Sequence, residues 1–204
     1  MTIWNIARAC KGHLAVPAGK HTGTCPAAGM AVIRGYSGKE AAGIVIDSRK
    51  VEPGDIFVAI RGERVDGHQF IREVFDKGAI AVVCEEEPEE LPGPCIRVED
   101  SLAALRQIAA FYREQMPIPI VGITGSVGKT STKEFVASVL AQKYKTHKTQ
   151  GNFNNEIGVP LTLLAMPEDT EAAVVEMGIN HFGEMHRLSE MVKPDICVMT
   201  NIGQ

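Results

Sequence analysis

The sequence predicts an α/β protein in two parts: a small N-terminal α/β domain over residues 1–116, and a P-loop parallel-sheet domain over residues 117–204. Three observations support this prediction. Short apolar strands alternate with amphipathic helices along most of the chain, as in parallel sheets. The segment Met116-Pro117-Ile118-Pro119 ends a helix and separates the two parts. A glycine-rich turn then joins an apolar strand to a helix, which is the setting of a phosphate-binding loop.

The composition excludes several classes of protein. Hydrophobic residues make up 45% of the 204 and charged residues 23%, which is ordinary for soluble proteins. A formal charge of -4 gives no basic surface for nucleic acid, so we expect no such partner. Five scattered cysteines without C-x-x-C spacing indicate free thiols in a reducing compartment. Without a signal peptide or an apolar run of roughly 20 residues, the chain is predicted to be cytoplasmic, with no membrane span.

The elements of the first part follow from apolar periodicity and turn residues. Helices are predicted over Ile3 to Cys10, over His68 to Lys77, and through Leu102 to Tyr112 with Asp100 or Ser101 as its cap. Strands are predicted over 43–47, 56–60 and 79–84. The last strand is continuously apolar, so we expect it to be buried on both faces. The Gly-, Ala- and Thr-rich segment 19–43 contains one strand-like run at 30–34, and the sequence assigns it no role.

The elements of the second part alternate regularly. Strands are predicted at 118–123, 145–148, 172–177 and 196–199, and helices at 129–141, near Leu161 and at 181–191. Such alternation indicates a mostly parallel sheet, whose ligands bind beyond the carboxyl ends of the strands.

The turn after the first of these strands predicts an ATP site. The residues expected to bind the phosphates are Gly125, Ser126, Val127, Gly128, Lys129, Thr130 and Ser131. Glycines let backbone amides face phosphate oxygens, Lys129 can reach the outer phosphates, and Thr130 can ligate Mg²⁺. The strict P-loop pattern requires glycine at position 123, where this chain has Ile123, so the loop is a variant. Packing alone is the alternative explanation of such a turn.

Two further features are candidates on weaker grounds. Glu176 ends an apolar strand, where a carboxylate could bind Mg²⁺ or remain a solvated strand-end residue. The segment 151–156, with Asn154, Asn155 and Glu156, offers polar groups for phosphate or substrate. An Asx-rich turn that caps the next helix is the structural alternative for this segment.

Four segments together resemble the central domain of the Mur ligase family. They are Gly125 to Thr130, the run GNFNNEIGVP at 151–160, Glu176-Met177-Gly178 and Thr200-Asn201-Ile202-Gly203. The run DSRKVEPGDIFVA at 47–59, with Gly62-Glu63-Arg64, Asp66-Gly67-His68 and Phe70, resembles the UDP-sugar-binding domain of the same family. Resemblance therefore covers about residues 43 to 204.

The resemblance implies an ATP-dependent ligase of peptidoglycan precursor synthesis. The asparagine-rich run is similar to the branch that adds D-alanyl-D-alanine to UDP-N-acetylmuramoyl-tripeptide; the branch that adds the third residue typically has threonines there. ATP would convert the tripeptide carboxylate to an acyl phosphate, which the D-alanyl-D-alanine amine attacks. Lys129, Asn154, Asn155, Glu156 and Glu176 are then the expected catalytic residues, and Thr130 and Glu176 the expected Mg²⁺ ligands. Ser48, Arg49, Gly67 and His68 are expected to bind the UDP-sugar.

The resemblance also suggests what the chain lacks. Members of the family continue with a His-containing metal segment, a carbamylated lysine and a C-terminal domain. The resemblance thus implies that the P-loop ATP-binding domain is truncated here, and we expect an inactive fragment of a monomeric enzyme, with an unpaired sheet edge. Two alternatives stay open besides third-residue addition: a different P-loop nucleotide-binding protein, and a non-catalytic sugar-nucleotide-binding module. The sequence does not distinguish diaminopimelate from lysine in the tripeptide.

Overall fold

The structure, a computed structural model, describes residues 1–17, 38–62, 65–179 and 181–203. The chain divides into two compact units, Met1–Ile108 and Ala109–Gln204. The strand-like run at 30–34 and two residues of the motif at 62–64 lie outside the described residues. Each unit has its own sheet and its own buried core.

The first unit is built on a five-stranded sheet with the order β1-β5-β4-β3-β2. Its strands are β1 (His13–Ala15), β2 (Ile44–Val45), β3 (Ile56–Val58), β4 (Ala81–Cys84) and β5 (Cys95–Arg97). The pairs from β2 through β5 are parallel, and β1 joins β5 antiparallel. All residues of β3 and β4 are buried, which confirms the expectation from the apolar run at 79–84. Strands β1 and β5 were not predicted, because three residues are too few to show an alternating pattern.

Helices and turns connect these strands. The helices are α1 (Ile3–Ala9), α2 (Ile71–Asp76) and α3 (Ser101–Glu114), and 3₁₀ turns occupy Ser48–Lys50 and Gly67–Phe70. The predicted helix from His68 thus begins as a 3₁₀ turn. The Asp66 side chain accepts from the His68 amide at 2.9 Å and caps this turn.

The second unit contains a four-stranded, fully parallel sheet with the order β7-β8-β6-β9. Its strands are β6 (Ile120–Thr124), β7 (Thr146–Lys148), β8 (Ala172–Glu176) and β9 (Ile196–Met199). Its helices are α4 (Lys129–Leu140), α5 (Gly158–Leu164) and α6 (Glu184–Val192). The predicted parallel α/β architecture is confirmed. In the order of the sheet β9 is an edge strand, with Ile196 and Met199 more than half exposed.

The division between the units falls inside α3, eight residues before the position 117 proposed from the sequence. The end of α3 packs into the core of the second unit. Ala109 is fully buried among the apolar side chains of that core. The Arg113 guanidinium donates to the Val192 carbonyl at 2.9 Å. Tertiary packing therefore assigns the last turns of α3 to the second unit, whereas the proline-rich break only marks where the helix stops.

Two further observations concern the described residues as a whole. None of their helices combines the length and the apolar character that a membrane crossing requires. Four of their cysteines are free thiols: Cys10, Cys84, Cys95 and Cys197.

Candidate functional site

The candidate nucleotide site lies at one edge of the sheet in the second unit. Because all four strands are parallel, their carboxyl ends meet at the same edge. The glycine-rich turn follows β6, the asparagine-rich segment follows β7, Glu176 ends β8, and Thr200 follows β9. The topology thus brings four segments together that are separated by up to about 75 residues in sequence.

The backbone of the turn forms an open cradle of amides. Gly125 has φ +133° and Gly128 has φ +84°, conformations that side-chain-bearing residues rarely adopt. Gly128 precedes α4 without a side-chain cap. The amides of residues 127–130 donate to no acceptor among the residues that the structure describes. Free amides at a helix N-terminus bind phosphate oxygens, so the geometry supports the predicted role of this turn.

The segment after β9 fixes the shape of this cradle. The Thr200 hydroxyl donates to the Val127 carbonyl at 2.6 Å, and the Ser126 amide donates to the Asn201 carbonyl at 2.9 Å. A Cβ at Gly125 would lie 2.2 Å from the Thr200 hydroxyl oxygen, so only glycine fits there. The sequence did not predict these roles, because nothing in the motif shows which residues lie behind it.

The Lys129 ammonium folds back over the loop. It donates to the Gly125 carbonyl at 2.6 Å and approaches the Ser126 carbonyl at 3.4 Å. Among the described residues it contacts loop carbonyls rather than a carboxylate, and such neutral acceptors are readily exchanged for phosphate.

Glu176 is the buried centre of the site, with 1% of its side chain exposed. Its Oε1 atom accepts from the Asn154 amide at 2.8 Å and lies 3.3 Å from the Thr130 hydroxyl. Its Oε2 atom has no hydrogen-bond donor among the described residues and lies 3.6 Å from the Lys133 ammonium. The predicted pair Thr130 and Glu176 is therefore in contact, and Lys133 is an additional residue that the sequence did not single out.

This donor set fits a magnesium ion. A carboxylate with one unsatisfied oxygen and a hydroxyl beside it are the oxygen ligands that Mg²⁺ prefers. The described residues contain no group of three or more His, Cys, Asp or Glu side chains that could hold a metal. This too is compatible with Mg²⁺, which usually takes one or two protein ligands and completes its shell with water and substrate phosphates.

The three polar residues of the asparagine-rich segment have different surroundings. Asn154 contacts Glu176 directly. The Asn155 side chain accepts from the Gly158 amide at 2.7 Å and so caps α5, which matches the structural alternative for this segment. Glu156 forms a close ion pair with Arg187 of α6. The structure thus brings Asn154 into the Glu176 cluster and gives Asn155 and Glu156 other partners.

The first unit presents two turns at the carboxyl ends of β2 and β3, which are parallel neighbours. The first contains Ser48, which is buried, and Arg49, whose guanidinium donates to both oxygens of Asp47 at 2.8 Å. These hydrogen bonds lower the pKa of Asp47 to about 2. The Arg49 side chain is 84% exposed, so it is accessible to a ligand.

The second turn contains Gly67 and His68. A Cβ at Gly67 would lie 2.9 Å from two backbone atoms of Ile60, which explains glycine at this position. The His68 Nε2 atom accepts from the Glu85 amide at 2.9 Å, so the ring proton lies on Nδ1, 2.6 Å from Asp66. Both ring nitrogens of His68 are therefore engaged within the fold. One side of the ring borders a cavity of about 370 Å³ beneath the 88–92 loop.

Comparison with protein families identifies both units. Residues 40–113 match the model described as Mur ligase family, catalytic domain, and residues 123–204 match the Mur ligase middle domain. Together these matches cover most of the chain.

Curated relatives have one enzyme name in common. A protein of Bacillus subtilis is 42% identical over 208 residues, and one of Synechocystis is 48% identical over 162. Both are named UDP-N-acetylmuramoyl-tripeptide--D-alanyl-D-alanine ligase. The first alignment covers 100% of this chain and 41% of the relative, and the second covers 78% and 36%. The chain thus spans about two fifths of the length of these relatives.

Solved structures of MurF ligases are similar to this chain. The crystal structure of MurF from Acinetobacter baumannii superposes with a TM-score of 0.82 at 34% identity, covering 99% of this chain and 40% of that one. The MurF ligase of Thermotoga maritima in complex with ADP gives 0.74 at 36% identity, covering 81% and 38%. A diaminopimelate ligase at 19% identity and a TM-score of 0.52 has only the fold in common.

Proposed function

This chain belongs to the Mur ligase family, and from that premise we propose that it forms part of an ATP-dependent ligase joining D-alanyl-D-alanine to UDP-N-acetylmuramoyl-tripeptide. In this proposal the first unit binds the UDP-sugar and the second binds the nucleotide. The names of relatives at 42% and 48% identity support this branch over third-residue addition. The asparagine-rich run at 151–160 supports it as well.

One observation in the second unit carries the proposal. Thr130 of the phosphate loop and Asn154 both contact Glu176, beside a cradle of amides that donate to no acceptor in the part of the chain that the structure describes. A loop that served packing alone would not need a buried carboxylate with an unsatisfied oxygen, which costs free energy unless a ligand binds it. The arrangement therefore supports binding of a nucleotide together with Mg²⁺.

The chemistry follows from charge and position. A carboxylate oxygen of the tripeptide attacks the γ-phosphorus of ATP, the bond to the bridging oxygen breaks, and ADP leaves. The amine of D-alanyl-D-alanine then attacks the acyl phosphate carbonyl, losing a proton and releasing phosphate. In this scheme Lys129 leaves the loop carbonyls to neutralise the γ-phosphate, while residues 127–130 donate their amides. Mg²⁺ held by Thr130 and Glu176 would offset the remaining phosphate charge.

In this proposal the two turns of the first unit form the surface for the UDP-sugar. Arg49 is exposed and can exchange Asp47 for a diphosphate, to which a guanidinium donates in a bidentate manner. Gly67 and His68 shape the neighbouring turn, with His68 acting through its fixed ring rather than through a free nitrogen. Ser48 is buried and supports the Arg49 turn from beneath.

Calorimetric titration of the chain tests nucleotide binding and UDP-sugar binding separately. Mg-ATP should bind to the unaltered chain and not to Lys129→Ala, whereas Lys143→Ala, an exposed lysine beyond α4, should bind normally. UDP-N-acetylmuramoyl-tripeptide should bind, and Arg49→Ala should weaken it, with Lys50→Ala as the neighbouring control. ATP binding without UDP-sugar binding would instead support a different P-loop protein. UDP-sugar binding without ATP binding would support a sugar-nucleotide-binding module.

A further inference from the structure

We propose that Lys133 is a positioning residue of the nucleotide site, which holds Glu176 and the 151–156 segment in the geometry that Mg-nucleotide binding requires. This inference rests on the proposed function, because it assigns Lys133 a role toward the same magnesium and nucleotide. In this scheme Lys133 does not contact the nucleotide; it acts through Glu176 and the 151–156 segment.

The position of Lys133 on α4 directs it toward the site. It follows Lys129 by four residues and Thr130 by three, so the three side chains project from one face of the helix. The side chain of Lys133 is 1% exposed, whereas its neighbours Glu134 and Phe135 lie on the outer face. Lysine is almost never fully buried unless it is paired, so its presence here indicates a specific interaction.

Two segments contact the buried ammonium. It donates to the Gly151 carbonyl at 3.2 Å, at the start of the asparagine-rich segment. It also lies 3.6 Å from Glu176 Oε2, the carboxylate oxygen without a hydrogen-bond donor. Glu134 approaches it at 3.3 Å from the surface side. Lys133 thus links α4, the segment after β7 and the end of β8.

These contacts determine the orientation of the carboxylate. Thr130 and Asn154 fix the Oε1 atom of Glu176, and Lys133 faces the Oε2 atom. Asn154 itself belongs to the segment whose first carbonyl binds Lys133, so removal of Lys133 would loosen both. Side chains that orient a metal ligand in this way commonly change metal affinity by about 10- to 100-fold when they are replaced.

A counter-ion role predicts the opposite result. An ammonium beside a magnesium ligand repels the incoming cation, so a lysine that merely balanced charge would weaken Mg²⁺ binding. Its removal would then strengthen the effect of Mg²⁺ on nucleotide affinity. Removal of a positioning residue weakens that effect instead. The direction of the change therefore separates the two roles.

The test measures ATP affinity by calorimetry with Mg²⁺ and with EDTA. Mg²⁺ should increase the ATP affinity of the unaltered chain, and this increase should be smaller by about 10-fold or more in Lys133→Met. The ATP affinity of Lys133→Met measured with EDTA should stay within roughly 2-fold of that of the unaltered chain. Lys133→Arg, which retains the charge and donors, should restore part of the increase. Lys143→Met, an exposed lysine at the end of the same helix region, is the matched control and should behave as the unaltered chain.

An unchanged or larger magnesium effect in Lys133→Met would overturn the inference. If circular dichroism shows that this variant does not fold, Lys133→Gln carries the same expectation, since it keeps a donor for the Gly151 carbonyl. An unaltered chain that binds no nucleotide with or without Mg²⁺ would contradict the proposed function itself, and the inference with it. If the magnesium effect is lost in Lys133→Met but kept in the unaltered chain and in Lys143→Met, the proposed function stays intact and the inference is supported.

Discussion

The two units place polar side chains at the same topological position, beyond the carboxyl ends of parallel strands, but they fix them differently. In the first unit the partners are close in sequence: Asp47 and Arg49 are two residues apart, as are Asp66 and His68. The Arg49 side chain is exposed, whereas the His68 ring is mostly covered. In the second unit Glu176 is buried and bonded to residues 22 and 46 positions away. The Asp47–Arg49 pair forms locally and can exchange partners with a ligand, whereas the contacts of Glu176 exist only in the folded unit.

The largest expected effect on stability comes from replacing Glu176, which is buried among Thr130, Lys133 and Asn154. Glu176→Ala leaves the Lys133 ammonium without its carboxylate, and breaking a buried ion pair costs about 3–5 kcal/mol. We expect the lower end, near 3 kcal/mol, because Glu134 remains 3.3 Å from the ammonium. Urea unfolding followed by circular dichroism measures the change.

Two controls sharpen this test. Glu168→Ala, at an exposed position of the same unit, should change the unfolding free energy by less than about 0.5 kcal/mol. Trp4 is the single tryptophan and lies in α1, so its fluorescence reports the first unit. A shift of the Trp4 transition by Glu176→Ala would contradict the separation of the two regions.

Glycine at the second turn of the first unit gives the next effect. Gly67→Ala places a Cβ 2.9 Å from the backbone of Ile60, and the strain should cost about 2 kcal/mol. Trp4 fluorescence during urea unfolding measures it. Gly38→Ala is the matched control, because a Cβ there meets none of the described residues within 4 Å. Equal stability of the two variants would show that the turn relaxes freely.

A smaller effect is expected from His68. His68→Ala removes the acceptor of the Glu85 amide and should lower the stability of the first unit by about 1 kcal/mol, the usual value of one hydrogen bond. His13→Ala, an exposed histidine of the same unit, should have no measurable effect. If His68→Ala abolishes UDP-sugar binding without any loss of stability, the ring contacts the ligand directly and its structural role is secondary.

The smallest effect concerns the exposed pair. The pKa of Asp47 is lowered to about 2 because Arg49 donates to its carboxylate. Its contribution to stability is therefore present above the unfolded pKa of about 4 and is lost as the pH falls toward 2. NMR titration should place the midpoint of Asp47 near 2 in the unaltered chain and near 4 in Arg49→Ala. The melting temperature of Arg49→Ala at pH 7 should differ little from that of the unaltered chain. A midpoint near 4 in the unaltered chain would show that the pair does not persist in solution.

The same contrast explains what the sequence could predict. The alternation of strands and helices, the phosphate loop and the place of Glu176 at the end of a strand follow from apolar runs and strand-end placement, which are local signals. Lys133 was missed because a lysine on a helix is normally solvated, and only tertiary packing shows that this one is buried. Asn155 and Asn154 look alike in sequence, yet one caps α5 and the other contacts Glu176. Which of these two asparagines caps the helix and which contacts Glu176 depends on the folded backbone of the segment.

The contact between Thr200 and the phosphate loop has a consequence for the order of folding. The loop leaves β6 at residue 124, but its shape depends on a hydroxyl and a carbonyl that follow β9, more than 70 residues later. Contacts so distant in sequence form late, because a long segment must first lose its conformational entropy. During synthesis β9 must therefore leave the ribosome before the loop can close, and nucleotide should bind only to chains in which β9 has docked. Bound nucleotide would then report that β9 has docked on the sheet of the second unit.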